Sequence, residues 1–452
     1  MQHQVDFNSL PQSAAAMADP IESCVHCGFC LPTCPTYVTL GQEMDSPRGR
    51  IFVMKEVLEG SLELDSAVPY IDNCLGCQAC VSACPSGVEY GDLITSFRQF
   101  SEARRSRPMG SRVQRSLALR TLPYPARFRA AVRLGRLARI FRSIAPPAVR
   151  PMLELAPPRL PPARPLPEWF PARGRRRARV ALLGGCVQQA LEPDIGWATL
   201  RVLAANGVET VVPRGQGCCG ALAMHTGAAN QARALARRNL AAFGGGIDAI
   251  VSNAAGCGSG MREYPVWFAG ESDEHAARAF AERVVDVSTF LDELGIVEPP
   301  PLDRPRSIAY HDACHLAHAQ GVRRPPRSLL RAIPGVTLIE PAEWELCCGS
   351  AGTYNLEKPD IAEALGARKA ANLRGTGAEL IASGNIGCLL QIRRYLGAEP
   401  AGEGNPAVLH TMQVLDRAYR GARRGLLDDH QHVEGAGAVD PGNPLELDVG
   451  GR

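Results

Sequence analysis

The sequence predicts an α/β protein: an N-terminal α-helical domain followed by two tandem parallel α/β repeats. Three observations carry that prediction. A compact four-cysteine run occurs twice near the N-terminus. A different cysteine pattern recurs in the back half, with Cys186, Cys218, Cys219 and Cys257 answered by Cys314, Cys347, Cys348 and Cys388 at offsets of 128, 129, 129 and 131 residues. Strand-like and helix-like segments alternate through both copies, as in parallel α/β units.

The 452 residues suffice for two or three domains with proper cores. A content of 45% hydrophobic and 21% charged residues is that of a globular chain. Residues 1–20 read as a flexible leader, 21–102 as the domain of the cysteine runs and 103–178 as an Arg- and Pro-rich connector. Residues 179–300 and 301–418 are the two repeats, and 419–452, rich in Gly, Asp and Pro, read as a disordered tail. The opening MQHQVDFNSLPQ lacks the apolar core of a secretory signal. No stretch reaches the roughly 18–20 apolar residues that span a bilayer. Of the sixteen cysteines, eight fall in two tight runs and the rest recur as single Cys or Cys-Cys-Gly; in a long chain this reads as metal ligation, not disulfides. A cytoplasmic location, with at most peripheral membrane contact, is therefore expected.

The first run is Cys24-x2-Cys27-x2-Cys30-x3-Cys34-Pro35, and the second is Cys74-x2-Cys77-x2-Cys80-x3-Cys84-Pro85. This is the bacterial ferredoxin spacing, in which three cysteines wrap one cubane and the fourth ligates the other. It predicts two [4Fe–4S] clusters, one on Cys24, Cys27, Cys30 and Cys84, the other on Cys74, Cys77, Cys80 and Cys34. Zinc favours paired cysteines with longer spacers. Between the runs, Ser46-Pro47 opens a helix as N-cap and N1, so the domain is ferredoxin-like but helical.

Each repeat reads strand, Cys loop, helix, strand, Cys-Cys-Gly loop, helix, strand, Cys loop. In the first copy the strands are expected at about 179–184, 208–212 and 248–252, and the helices at about 193–205 and 228–243. The duplication is strong because four matches share nearly one offset. Every cysteine follows a strand, so each set converges on the carboxyl edge of its sheet, where open α/β sheets bind ligands. Each set can hold a further iron–sulfur cluster or zinc. His311, Cys314, His315 and His318 cluster after one strand, which suggests metal ligation or proton handling, or merely loop polarity and capping. His225 and His410 are read as structural. Gly215-Gln-Gly217-Cys-Cys-Gly220 fits the dinucleotide fingerprint by spacing, but it overlaps a Cys-Cys-Gly that recurs in the second copy without the first two glycines, and its place in the unit is wrong.

Between Ala103 and Leu153 stand thirteen Arg and no Lys, Asp or Glu. Removing them from the 49 basic residues leaves 36 against 46 acidic ones, so the positive charge is concentrated there. No nucleic-acid reading motif accompanies it. Apolar residues interleave around Phe128, Val132, Leu134, Leu137, Ile140 and Phe141 without one clean face. Either a solvated linker or docking on anionic lipid or an acidic partner is expected.

Paired ferredoxin runs followed by two Cys…Cys-Cys-Gly…Cys repeats resemble the cysteine-rich CCG family. That family includes heterodisulfide reductase subunits and the iron–sulfur subunits of anaerobic glycerol-3-phosphate dehydrogenase. The stretches CVHCGFCLPTCPTY, DSPRGRIFVMKEVLEG, GCCGALAMH, NAAGCGSGMREY and CCGSAGTY most resemble the iron–sulfur subunits of glycolate oxidase (glycolate dehydrogenase). The likeness runs from about residue 20 to 418. It implies an electron-transfer subunit with no flavin of its own. Its FAD-containing oxidase partners would oxidise glycolate or D-lactate, and its electrons would go to quinone or another membrane acceptor. A glycerol-3-phosphate dehydrogenase subunit or a catalytic heterodisulfide-reductase type is the alternative. Full repeats of the family end in Cys-x-x-Cys, but Gly260 and Gln391 stand at the last position here, so a five-cysteine cluster is not available.

Overall fold

The computed structural model describes residues 16–141, 143–146, 149–157, 159–397 and 405–421, together with Val5. Most of the expected leader and tail thus lie outside the described residues. The boundaries shift slightly inward of both. α1 (Ala18–Glu22) follows a wholly buried Met17 and contributes Ile21 to the N-terminal core, so the last residues of the expected leader are part of the fold.

The N-terminal domain is helical. α2 (Pro35–Leu40) starts directly after Cys34, with Pro35 at its first position. α3 (Pro47–Leu58) begins as expected: the Ser46 side chain accepts from the Gly49 N–H at 3.0 Å, and Pro47 fills N1. α4 (Leu64–Asn73), α5 (Ala79–Ser82) and α6 (Tyr90–Glu102) complete it. Ile51, Met54, Ile71, Leu93 and Phe97 form its core with cysteines of both runs.

The connector is no solvated linker. It folds into α7 (Met109–Thr121), α8 (Pro125–Ala138) and α9 (Arg150–Leu155) and is tied to the repeats. Gln114 donates to the Leu356 carbonyl at 3.0 Å, Arg115 pairs with Glu357 at 3.0 Å, and Arg129 donates to the Ala190 carbonyl at 2.9 Å. The interleaved apolar residues therefore serve two faces. Val132 points inward and is buried, while Leu134, Leu137, Ile140 and Phe141 are exposed.

The first repeat contains β1 (Trp169–Phe170), β2 (Ala178–Leu182), α10 (Val187–Leu191), α11 (Pro193–Ala205), β3 (Val208–Val211), α12 (Ala221–His225), α13 (Ala229–Ala242) and β4 (Ala249–Ser252). It ends with α14 (Ala255–Arg262), α15 (Tyr264–Trp267), α16 (Glu274–Ala281), β5 (Val284–Asp286) and α17 (Val287–Leu294). The second contains β6 (Arg306–Tyr310), α18 (Cys314–Ala317), α19 (Arg324–Arg331), β7 (Val336–Ile339), α20 (Tyr354–Glu357), α21 (Pro359–Arg374), β8 (Leu380–Ser383), α22 (Ile386–Leu396), β9 (Ala407–His410) and α23 (Thr411–Arg420). The sheet orders are β1-β3-β2-β4-β5 and β7-β6-β8-β9, parallel throughout except for the edge strand β1. Each repeat thus has a fourth parallel strand, β5 or β9, beyond the three expected.

The repeats share one core. Leu182, Leu200 and Val251 join Ile308, Tyr310, Leu409 and Leu415 in a single cluster. The pairing is reciprocal: α11 packs on α23 and α17 on α19, and α11 corresponds to α19 as α17 does to α23. This is the contact logic of a twofold interface within one chain. Arg201 of α11 locks it with Asp416 of α23 at 2.7 Å.

Candidate iron–sulfur and thiol sites

The two cysteine runs fold into equivalent loops. Each carries left-handed backbone at the same two places, His26 (φ 53°) and Gly28 (φ 87°) in the first, Gly76 (φ 65°) and Gln78 (φ 59°) in the second. Non-glycine residues in that region cost roughly 1–2 kcal/mol each, so tertiary contacts hold His26 and Gln78 there. The loops turn their thiols inward. Cys24, Cys27, Cys30 and Cys84 line one small cavity, whose inner wall Cys80 reaches. Burial pushes the Cys24 thiol up, and the charges of Cys84 and Cys27 add to it. Burial also raises the Cys30 thiol to about 11.

The second set is deeper. Burial drives Cys80 up, and Cys77, Cys74 and Cys34 reinforce it. Burial likewise raises Cys77, with Cys314 of the second repeat as the next largest influence. Cys74 goes the other way. Burial alone would raise it, but the Arg50 and Arg98 guanidiniums outweigh that and hold it low. The sulfurs are well supplied with donors: the Gly76 N–H lies 3.3 Å from Cys74 Sγ, Tyr90 Oη 3.7 Å from it, and an Arg50 nitrogen 3.8 Å from Cys34 Sγ. In both sets the fourth cysteine of one run neighbours the first three of the other. Inward thiolates, sulfur-directed donors and positive charge suit iron–sulfur clusters.

The repeats place their cysteines at the carboxyl ends of the strands. Cys186 follows β2, Cys218 and Cys219 follow β3, and Cys257 lies in α14 after β4. Cys186 and Cys218 are 3.5 Å apart. Hydrogen bonds from the Cys186 and Cys219 thiols hold Cys218 low, while Cys219 is bonded to Cys218 and Cys257. In the second repeat Cys314 lies 3.9 Å from Cys347. The Cys347 and Cys388 thiols hold Cys348 low by hydrogen bonding. The glycine of each Cys-Cys-Gly is demanded by geometry. Gly220 (φ +84°) and Gly349 (φ +86°) are left-handed, and a Cβ there would sit 3.0 Å and 2.8 Å from the Ala232 and Ala362 carbonyl oxygens.

The copies differ in histidine. His311 stands where the first repeat has Leu183, and its ring lies with Cys348 and Cys388 so that the three ligand atoms are within 4.8 Å of one another. His315 Nδ1 lies 3.6 Å from Cys314 Sγ. His318 leaves the cluster: Ser82 lies 2.7 Å from its Nδ1 and the Glu345 carbonyl 3.1 Å from its Nε2, so it joins the domains. His410 is structural, as expected, capping α23. His225 packs beside a histidine of the second repeat. Its ring stacks on His315 at 5.7 Å and its Nε2 meets Glu263 at 3.3 Å. Burial would raise the Glu263 carboxyl, but the His225 charge beside it holds it low.

The fifth-cysteine positions are filled. A Cβ on Gly260 would lie 2.5 Å from Ala221 Cβ. Gln391 donates to the Ala362 carbonyl at 2.9 Å and accepts from Asn355 at 3.1 Å. The Gly215–Gly220 loop is likewise occupied by its own fold, with Asn239 accepting from the Gly217 N–H and Arg238 donating to the Gly215 carbonyl.

Residues 20–88 match the 4Fe-4S dicluster domain, and residues 180–262 and 308–393 each match the cysteine-rich domain CCG. Together these matches define an iron–sulfur protein of the dicluster-plus-CCG type. The glycolate oxidase iron-sulfur subunit of Escherichia coli K12 is 35% identical over 424 residues, covering 92% of this chain and 99% of the relative. The probable glycolate oxidase iron-sulfur subunit of Bacillus subtilis 168 is 37% identical over 415 residues, covering 87% and 93%. This chain belongs to the family of glycolate oxidase iron–sulfur subunits. A fumarate reductase (CoM/CoB) subunit of Methanothermobacter marburgensis is 35% identical over 244 residues, but this covers only 54% of this chain and 47% of that one.

Proposed function

We propose that this chain carries electrons from an FAD-containing partner, which oxidises glycolate or D-lactate, towards the quinone pool at the inner face of the cell membrane. The observation that carries this reading is the contact between the two cysteine systems. Cys77 lies against Cys314, and Leu75, Cys77 and Ala79 share an apolar cluster with Cys347 and Tyr354. At the other end, Cys27 is exposed beside Val25 and Phe29, which are 67% and 66% exposed. A partner can reach the first site there, while the second lies buried against the repeats.

Cys24, Cys27, Cys30 and Cys84 are the proposed ligands of one [4Fe–4S] cluster, and Cys74, Cys77, Cys80 and Cys34 those of the other. Bound clusters take up and release single electrons. The chain's own residues bury the second site, aim donors at its sulfurs and open an edge of the first. The repeat cysteines offer two further four-sulfur sites, with His311 supplementing the second; each suits another iron–sulfur cluster or zinc. With Gly260 and Gln391 packed as they are, electron transfer is favoured over five-cysteine disulfide chemistry.

Metal and sulfide analysis of the anaerobically purified chain tests this. The N-terminal domain is expected to contribute about eight iron and about eight sulfide. Cys84→Ser is expected to damage the cluster of Cys24, Cys27 and Cys30. The chain alone is expected not to oxidise glycolate, and flavoprotein partners to restore dye reduction. Zinc without iron, or glycolate turnover by the single chain, would overturn the reading.

A further inference from the structure

The connector helices do not lie flat on the repeats. They roof a large cavity walled by Leu122, Phe128, Val132, Ala138 and Leu153. Its floor has a different chemistry, with Cys186, Cys218 and Cys257 of the first repeat and Cys74 of the N-terminal domain. His225 and His315 stand beside them. Glu263 pins the first imidazole, and the second stacks on it. His315 turns Nδ1 to Cys314, while its buried Nε2 has no hydrogen-bond partner; nor has the buried Asn355 Oδ1 in the same lining. At the mouth, Leu134 both lines the cavity and is 67% exposed. Beyond it stand Leu137, Ile140 and Ile144, more exposed still, among Arg127, Arg133 and Arg136.

We propose that this cavity binds a lipophilic quinone, its ring on the cysteine and histidine floor and its isoprenoid tail leaving past Leu134 into the lipid. The assignment rests on the quinone-reducing function proposed above and locates it. A soluble acceptor needs no apolar wall running along α8 from Phe128 to Ala138. A lipid chain needs neither an iron–sulfur site nor an unpaired imidazole nitrogen at its far end. A quinone needs both, with a carbonyl oxygen placed to accept from His315 Nε2–H. The step balances: oxidation of one 2-hydroxy acid to the 2-oxo acid at the partner releases two protons to solvent and two electrons, which reach quinone through this chain; quinone takes those two electrons with two protons from solvent and leaves as quinol.

The test is photolabelling of the cluster-loaded full chain with an azido derivative of decylubiquinone, read residue by residue by mass spectrometry. Label is expected on the inner face of α8 and at Leu222, competed away by excess decylubiquinone. Ala138→Trp is expected to reduce it at least tenfold while the iron–sulfur absorbance shows that the chain is folded. Label confined to Leu137, Ile140 and Ile144, label that does not compete, or equal label in Ala138→Trp overturns the site. Quinol production by the complete complex is measured alongside. Quinol without cavity label rejects this site and leaves the proposed function standing; competed cavity label without quinol keeps the binding site and rejects quinone as the electron acceptor.

Discussion

Arg50 shows how one side chain serves both the fold and the site. It is buried, with Nε donating to the Tyr70 carbonyl at 2.7 Å and its other nitrogens reaching Thr36 at 3.0 Å, Asp45 at 3.1 Å and Cys34 Sγ at 3.8 Å. A buried ion pair is costly to break from one side, roughly 3–5 kcal/mol, so the network fixes α3 against the second cysteine set. Its positive charge also favours extra electron density on those sulfurs. Arg50→Lys keeps a charge but loses the planar fork. The reduction potential of the Cys34/Cys74 site is expected to fall on the order of 50 mV, about 1 kcal/mol for one electron, with the Cys24 site little moved. An EPR-monitored redox titration reads both. Ser46-Pro47 as a helix start was legible from local chemistry, whereas Arg50's partners lie up to 20 residues away and were not.

Among the elements, the fourth strand of each repeat carries the clearest lesson. β5 and β9 are too short to show a period, yet VVDVSTFLDEL and VLHTMQVLDRA align, each with a capping side chain before a helix. Asp286 accepts from the Ser288 N–H at 2.8 Å and His410 Nδ1 from the Met412 N–H at 3.1 Å. The two caps titrate in opposite senses. Burial raises the Asp286 carboxyl to about 6, so it favours the folded state more as pH falls through 6. Burial pushes His410 down to about 4, against about 6.5 when unfolded. Its neutral form is favoured in the fold, so stability is present above 6.5 and is lost as pH falls towards 4, about 3 kcal/mol in all. Thermal unfolding of wild type and His410→Asn at pH 7.5 and pH 6 isolates this. Wild type is expected to lose about 1 kcal/mol more than the variant over that interval.

For the whole molecule, the N-terminal domain is wedged against both repeats. Tyr354 donates to the Asn73 carbonyl at 2.8 Å and Arg98 to the His225 carbonyl at 3.2 Å, and from the connector Arg115 donates to the Thr226 carbonyl. These contacts use up part of the connector's charge: Arg105 and Arg107 pair with Asp72 and Glu102, and Arg115 with Glu357. Arg127, Arg133 and Arg136 of α8 remain around the exposed ridge of Leu137 and Ile140, which are 73% and 78% exposed. No described helix is long and apolar enough to cross a membrane. Peripheral binding is expected, with about 1 kcal/mol per Arg at an anionic surface, screened within about 8 Å at physiological salt. Flotation with anionic vesicles is expected to carry the protein at low salt and release it at high salt. Leu137→Glu with Ile140→Glu is expected to abolish flotation at both, and binding indifferent to lipid charge would contradict the ridge.

What was readable along the chain was short-range. The cysteine spacings set the turns of the two loops, the Cys-Cys-Gly glycines set the left-handed turn beneath each thiol pair, and duplication set two copies of one sheet. Each of these is written within a window of about ten residues or in a repeat of it. Long-range packing decided the rest. It set the N-terminal cysteines against Cys314, brought His225 to His315 across 90 residues, folded the connector into a roof and joined the repeats through α11 and α23. Hydrophobic periodicity says that a face is buried, not against what. The partner follows only from which surfaces fit when the whole chain closes on itself.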